Sequence, residues 1–252
     1  MQIHQISGFI QNIFLVEYDH GCMLLDGASR ADLRHIIRFF KDVLQRPITD
    51  LKVVMVTHMH PDHAGCAHKL REVSGCKIVT GDVSKPWYSG ISGRFSHLVD
   101  ISLAYWVANR LNKPFGNLWF STKLKPDVML SDGDRIPEFQ DWQVITTPGH
   151  TDRDISIYNL EHNKIYVADL IVRVKKQLTS PFPVHFPNSY RNSLRKLQDF
   201  IGFELMMAHV DNTELSEEVL SQLISNAPET PRTNLNAVKN KIQRINLLRS
   251  KT

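Results

Sequence analysis

The chain has no run approaching the roughly 20 consecutive apolar residues that a membrane-spanning helix needs. Its start, Met1-Gln2-Ile3-His4, does not place a basic stretch before an apolar one, so no secretory leader is expected. Cysteine is scarce. Cys22, Cys66 and Cys76 form no even set and no metal-type spacing, which argues against a disulfide framework and predicts a reducing, cytoplasmic setting. Cys66 reads as a small buried hydrophobe with no chemical role. Charge imbalance is also slight: +4 over 252 residues is too little to imply a nucleic-acid partner. Much of that charge falls near the end, where Arg232, Lys239, Lys241, Arg244, Arg249 and Lys251 are interleaved with Leu235, Val238, Ile242, Ile245 and Leu248. The pattern predicts an amphipathic terminal helix with a solvated basic face. With 42% hydrophobic and 22% charged residues, the composition is that of a soluble globular protein, long enough for one large α/β domain over 1–252.

What is present alternates between strands and helices. Phe9 to Tyr18 and Cys22 to Asp26 read as strands joined at Asp19-His20-Gly21. Leu33, Ile36, Ile37, Phe40, Val43 and Leu44 recur at helical spacing until Pro47. A short helix is expected around His68 to Val73, stopped by Gly75. Lys77 to Val79, Trp142 to Thr146, Ile155 to Leu160, Lys164 to Ala168 and Glu204 to Ala208 read as strands. Asn188 is a plausible cap for a helix carrying Leu194, Leu197, Phe200 and Ile201, and Ser216 for one carrying Val219, Leu220, Leu223 and Ile224. C-terminal helices are expected over about 214–250.

The densest chemistry lies in Thr57-His58-Met59-His60-Pro61-Asp62-His63-Ala64-Gly65, directly after the apolar run Val53-Val54-Met55-Val56. Three imidazoles and a carboxylate fall within six residues, where a buried strand opens into a loop. Such donors suit zinc or iron. In an extended segment residues two apart share a face, so His58 and His60 can reach one ion. Asp62 and His63 follow the turn at Pro61 and can aim at a second. A cluster this dense, placed this close to a strand, is hard to read as solvated or core histidines.

His-x-His-x-Asp-His after a hydrophobic strand resembles the signature of the metallo-β-lactamase superfamily. Pro148-Gly149-His150-Thr151 is similar to that family's third-histidine turn, Val167-Ala168-Asp169 to its bridging-aspartate strand end, and Ala208-His209 to its last histidine. Leu24-Leu25-Asp26-Gly27 resembles its early strand and turn. Order and approximate spacing match to about residue 210. The resemblance implies an α/β, four-layer αββα sandwich, here with an aromatic-rich, partly helical insertion over about 84–125. It also implies two divalent cations, zinc before iron or manganese. His58, His60 and His150 would hold the first, Asp62, His63 and His209 the second, with Asp169 bridging. Three neutral imidazoles leave an open position for water, and a hydroxide between two ions forms near neutral pH. As implied, that hydroxide attacks a carbonyl carbon or phosphorus, and Asp62 has a catalytic role in orienting it.

The chain departs from the family pattern in places, without losing a ligand. Asp152-Arg153-Asp154 follows the third-histidine turn where a small turn is usual; Arg153 either pairs at the surface or faces the cleft to bind an anionic group. Ala168 and Val210 stand where glycine is common. Asp169 argues against a true β-lactamase, in which Cys or Ser usually occupies that position. Glyoxalase II would need a C-terminal Arg/Asn/Lys set that Arg232-Thr233-Asn234-Leu235 does not copy. The best-supported activity is hydrolysis of a small ester, thioester or lactone, with a glyoxalase II- or lactonase-like relative as the nearest branch. The alternatives are a mononuclear-iron oxidoreductase resembling persulfide dioxygenases, a phosphodiesterase or β-lactam hydrolase, and a catalytically silent binding module.

The long interval between His63 and His150 holds the clue to substrate. Trp87, Tyr88, Phe95, Tyr105, Trp106, Phe115, Trp119 and Phe120 crowd into it, and Ile101, Tyr105, Ala108 and Leu111 recur at helical spacing. The segment reads either as packing against the domain or a second copy, forming a homodimer, or as a lid that favours a lipophilic acyl group. The lid reading makes Trp87, Trp106 and Trp119 substrate contacts. His185 and Tyr190, in and after the stiff Ser180–Pro187 segment, are further candidates for substrate contact. His4, His20, His35, His68, His97 and His162 lack ligand spacing and read as structural or exposed.

Overall fold

The structure, a computed structural model, describes residues 1–82 and 85–233. The expected basic helix at the end of the chain lies outside the described residues, apart from Arg232. Within them, the elements run β1 (Gln2–Ser7), β2 (Asn12–Tyr18), β3 (Gly21–Leu24), α1 (Leu33–Arg38), β4 (Leu51–Val56), α2 (Ala67–Ser74), β5 (Lys77–Gly81), α3 (Gly90–Arg110) and β6 (Val128–Leu130). The second half has β7 (Arg135–Ile136), β8 (Phe139–Thr146), β9 (Ile155–Asn159), β10 (Lys164–Tyr166), β11 (Val172–Val174), β12 (Gln177–Thr179), α4 (Pro187–Lys196), β13 (Glu204–Met206), β14 (Thr213–Glu214) and α5 (Glu217–Ser225).

Two six-stranded sheets result. The first runs β1-β2-β3-β4-β5-β6, antiparallel over its first three strands and parallel from β3 onward. The second runs β14-β13-β10-β9-β8-β7 and is antiparallel except where β10 and β13 lie parallel.

Alternation along each strand divides its side chains between two layers. Phe14 and Val16 of β2, Val53 and Met55 of β4, and Val79 of β5 meet Trp142, Val144, Ile157 and Tyr166 between the sheets. The opposite faces of the same strands, through Leu15, Val54 and Val56, pack on Ile36, Phe40 and Leu70 from the α1 and α2 side. Beyond the second sheet, Ile165 and Leu205 pack on Leu194, Leu220 and Leu223 of α4 and α5. Helix, sheet, sheet, helix is the expected αββα arrangement.

Several local expectations change. The strand expected from Phe9 starts at Asn12, because the Gly8 amide donates to the Gln11 carbonyl at 2.9 Å and turns the chain there. β1 was not expected: half-exposed at the sheet edge, it carries no strong apolar alternation. The helix expected over 33–44 keeps α-geometry only to Arg38 and finishes in wider π-turns that close with Gln45 left-handed at φ 56°. Asn188 is not the cap of α4; the chain enters through Phe186 with Pro187 in the first turn, where a missing N–H costs nothing. Ser216 does cap α5, accepting from the Val219 amide.

Candidate metal centre

The loop after β4 is shaped by its own backbone. The His63 and Ala64 amides both donate to the His60 carbonyl, at 3.1 and 2.9 Å, and curl the segment so that its side chains point one way. Gly65 is required there: a Cβ would lie 2.0 Å from the Pro61 carbonyl oxygen. His150 follows β8 in a turn held by Asp154, whose carboxylate accepts from the Gly149 and Thr151 amides and the Thr151 hydroxyl. Asp169 follows β10 and His209 follows β13. Ala168 has a left-handed φ of 46°, which explains why glycine suits that position.

These four loops bring all seven expected ligands to one end of the sandwich. They form two groups able to hold a cation: His58, His60, His150 and Asp169, and then Asp62, His63 and His209. His60 Nδ1 lies 3.0 Å from His58 Nε2 and 2.9 Å from His150 Nε2. Asp169 stands between the groups. Its Oδ1 is 3.3 Å from His63 Nε2 and 3.2 Å from His209 Nε2, while its Oδ2 is 3.8 Å from His58 Nε2 and 3.6 Å from His150 Nε2.

The outward nitrogens fix which inward nitrogens carry lone pairs. His150 Nδ1 donates to the Pro183 carbonyl at 2.7 Å and His209 Nδ1 to the Ile10 carbonyl at 3.1 Å. His63 Nδ1 donates to Asp26 Oδ2 at 2.6 Å. The Thr57 hydroxyl donates to Asp26 and so is left to accept from His58 Nδ1 at 3.1 Å. The Nε2 atoms of His58, His63, His150 and His209 therefore turn their lone pairs inward, and His63 Nε2 and Asp169 Oδ1 are buried with no hydrogen-bond partner. Convergent lone pairs and orphaned buried ligand atoms fit divalent cations bound among them.

The electrostatics agree. Burial, then the neighbouring imidazoles, push His58 well down and His60 down to about 3. Burial opposes charge on His63, but Asp169, Asp62 and Asp26 outweigh it and hold His63 well above its ordinary value. His209 likewise rises to about 10, with Asp169 and Asp62 overcoming burial. Burial pushes Asp62 up, yet His63 and His209 prevail and bring it to about 2; Asp169 is held low by the same two residues. The carboxylates thus draw protons onto His63 and His209, and a cation binding there would displace them.

Asp26 was legible in the sequence only as part of a strand and turn. It is the main outer support of the centre, accepting from His63, the Thr57 amide and hydroxyl, the Gly27 amide and Tyr166 OH. Gln11, which donates to the Asp62 carbonyl, gave no signal at all.

A cleft of about 140 Å³ opens onto the centre. Its outer wall is α3, through Asp100, Leu103, Ala104 and Val107, with Ile10, Phe182 and Pro183 facing them. The expected insertion therefore does reach the cleft, but with other residues than the tryptophans. Trp106 is 54% exposed on the outer face of α3, and Trp119, 58% exposed, packs on His97. Trp87 borders a separate cavity of about 240 Å³ that also touches His58, and T-stacks on His185. Arg153 combines the two expected options: it is buried, donates to both Asp152 oxygens and to the Lys85 carbonyl, and lies over the Trp87 ring in the lining of that same cavity. Tyr190 is fully buried, donates to the Leu170 carbonyl and lies so close to Gly149 that a Cβ there would meet its Cα at 2.4 Å, which makes it a support for the His150 turn. Asp100 gave no signal in the sequence. It accepts from Tyr88 OH at 2.9 Å and lies 3.8 Å from His60 Nε2, and burial pushes its carboxyl up to about 6 against the Tyr88 hydrogen bond and the charge of His150.

Histidine and aspartate clusters at the strand ends of an αββα sandwich define an enzyme of metal-dependent type, and the set fits a metallohydrolase. Residues 6–207 match the metallo-beta-lactamase superfamily, and the chain belongs to it. A curated relative, the probable metallo-hydrolase YflN of Bacillus subtilis (strain 168), is 22% identical over 196 residues, covering 75% of this chain and 73% of that protein. Among solved structures, the metallo-beta-lactamase family protein TTHA1429 from Thermus thermophilus aligns with a TM-score of 0.63 at 18% identity, over 88% of this chain and 77% of its own. TTHA1623, described in a di-iron-bound form, aligns at 0.61 and 20% identity over 91% of this chain and 100% of its own. No helix among the described residues is long and apolar enough to cross a membrane.

Proposed function

We propose that the protein is a dinuclear metallohydrolase that cleaves a small ester, thioester or lactone carrying an apolar group. His58, His60 and His150 hold one cation, Asp62, His63 and His209 the other, and Asp169 lies between them. The observation that carries this reading is Asp169, which turns one carboxylate oxygen to each histidine group. Zinc is the favoured metal; the di-iron form described for TTHA1623 makes iron the first alternative. Bound divalent cations supply Lewis acidity toward the substrate oxygen and bring the pKa of water down to about 7.

The chain's own residues do the rest. Asp62 lines the cleft, where its carboxylate accepts a hydrogen bond from the attacking water and orients it. Leu103, Ala104, Val107, Ile10 and Phe182 line the approach with hydrocarbon, limit bulk water and seat an apolar acyl or alkoxy group. Metal content of protein purified without added metal, measured with hydrolysis of aryl esters, acyl thioesters and lactones, tests the reading. About two cations per chain and chelator-sensitive hydrolysis are expected. About one iron per chain, oxygen uptake with a persulfide and no hydrolysis would move the assignment to the dioxygenase alternative.

A further inference from the structure

Between residues 85 and 125 the sequence sets six cations, Lys85, Arg94, Arg110, Lys113, Lys123 and Lys125, against one carboxylate, Asp100. That excess is larger than the +4 of the whole chain. Asp100 lines the metal cleft, which leaves the outside of the segment without an anion of its own. None of the six cations makes an ion pair among the described residues. Hydrocarbon runs between them. Steps of three and four residues set Ile91, Phe95, Leu98, Ser102 and Trp106 on one face of α3, opposite the buried Gly93, His97, Ile101, Ala104 and Ala108. Ile91 is 90% exposed, Phe95 61% and Leu98 50%, so the stripe is bare along its length. Phe95, Leu98, Leu103 and Trp106 line one open groove, and Leu103 belongs to the cleft wall as well, which joins the groove to the cleft. Arg94 is exposed near the start of the helix, and near its end the Arg110 guanidinium lies 4.8 Å from the Trp106 ring centroid.

We propose that this face of α3 docks the protein on a lipid bilayer carrying anionic headgroups. A contiguous apolar stripe, unlike single exposed hydrophobics, marks a surface that something covers. Ile, Phe, Leu and Trp on one helix face are the side chains that enter the boundary between headgroups and acyl chains, and each lysine or arginine beside them adds roughly fivefold in affinity for anionic lipid. Charge decides among the candidate occupants. A second copy docked through the same face would bring two sets of unpaired cations together. A nucleic acid would satisfy the cations but leave Ile91, Phe95 and Leu98 against a polyanion. An anionic bilayer meets both needs, taking the stripe into hydrocarbon and the cations at its phosphates. Docking does not depend on the hydrolase reading. What it would serve, entry of an apolar group from the lipid through the groove at Leu103, does rest on it.

Co-sedimentation of the full chain with vesicles tests the surface. Binding to phosphatidylcholine vesicles containing about one-third phosphatidylglycerol should be at least about tenfold tighter than to phosphatidylcholine alone, and ~0.5 M salt should remove most of the difference. Phe95→Ser with Leu98→Ser removes hydrocarbon and keeps the charge; Arg94→Gln with Arg110→Gln does the opposite. Each pair should weaken binding to anionic vesicles at least about tenfold. Tryptophan emission should shift to the blue when anionic vesicles are added, and the shift should shrink in Trp106→Phe. Circular dichroism and metal content should match the wild type in every variant, because none of these side chains lies in the cleft or in the metal groups. Equal binding to neutral and anionic vesicles, or binding to neither, would overturn the docking surface. So would vesicle binding that survives both pairs of substitutions, which would place the lipid contact elsewhere on the chain. A dimer dissolved by Phe95→Ser with Leu98→Ser, without vesicle binding, would give the face to a second copy. Duplex DNA bound in place of vesicles would give it to nucleic acid. Soluble aryl esters read the hydrolase claim separately: vesicle binding without ester hydrolysis leaves the docking surface standing and removes the hydrolase reading.

Discussion

Asp26, at the end of one strand, accepts a 2.6 Å hydrogen bond from Nδ1 of His63, 37 residues further along the chain, and thereby fixes which nitrogen His63 offers to the centre. The same carboxylate takes the Thr57 hydroxyl, which orients His58. One residue thus aligns an imidazole in each group. Asp26→Ala should lower metal affinity about 10- to 100-fold, the usual cost of losing such a support. Competition with a chromophoric chelator measures it, and affinity equal to the wild type would show that His63 needs no such anchor.

Asp169→Asn leaves the loop intact but removes the charge that faces both groups. Bound metal should fall from about two cations to about one per chain, with turnover down at least ~100-fold and KM changed little. Elemental analysis alongside kinetics checks both. Full metal content with an unchanged rate would remove Asp169 from the bridging position.

Leu103 and Val107 form the cleft wall, whereas Trp106 and Trp119 face outward. Leu103→Ala and Val107→Ala should raise KM for long-chain esters several-fold more than for acetyl esters. Trp106→Ala and Trp119→Ala should leave that chain-length ratio as it is. A changed ratio in the tryptophan variants would mean that α3 takes another position during turnover.

Gly65→Ala places a Cβ against the Pro61 carbonyl within the ligand loop. The backbone must move, at a cost of about 1–3 kcal/mol of stability. Because the moving segment carries Asp62 and His63, metal affinity should fall as well. Chemical denaturation and metal titration of the same preparation read both effects.

Asp127 ties the β6 side of the first sheet to β5 and α2, accepting from the Ile78 amide and from Arg71. Burial pushes its carboxyl up, but the Ile78 amide and Arg71 outweigh that and hold it below its ordinary value. A depressed carboxyl stabilises the fold above its unfolded pKa of about 3.9, and the contribution disappears as pH falls through the lower folded value. Asp127→Asn should therefore be less stable than wild type at pH 7, by under ~1 kcal/mol given its solvent exposure, and the gap should narrow as pH falls through the unfolded carboxyl's range and below it. Urea unfolding over a series of pH values from 7 downward measures the difference; a gap that does not depend on pH would assign it to packing instead.

The sequence by itself determined the histidine and aspartate clusters and the layers. His58 to Gly65 behind the run Val53–Val56 could be read because a buried strand and a cluster of donors are both local patterns, as are the alternating strands and the helix begun at Ser216. β1 and the β11–β12 hairpin escaped because short, half-exposed strands take their stability from a partner strand and leave little periodicity of their own. Only the tertiary structure could decide which residues stand behind the ligands. Asp26, Gln11 and the carbonyls of Ile10 and Pro183 matter because distant segments meet, and nothing local marks a hydrogen bond across 37 or 199 positions. The wall of the cleft was decided in the same way. The insertion's tryptophans drew notice by residue type, yet the rotation of α3 against the sandwich buries Ala104 and turns Trp106 to solvent, because side chains two positions apart on a helix point in different directions.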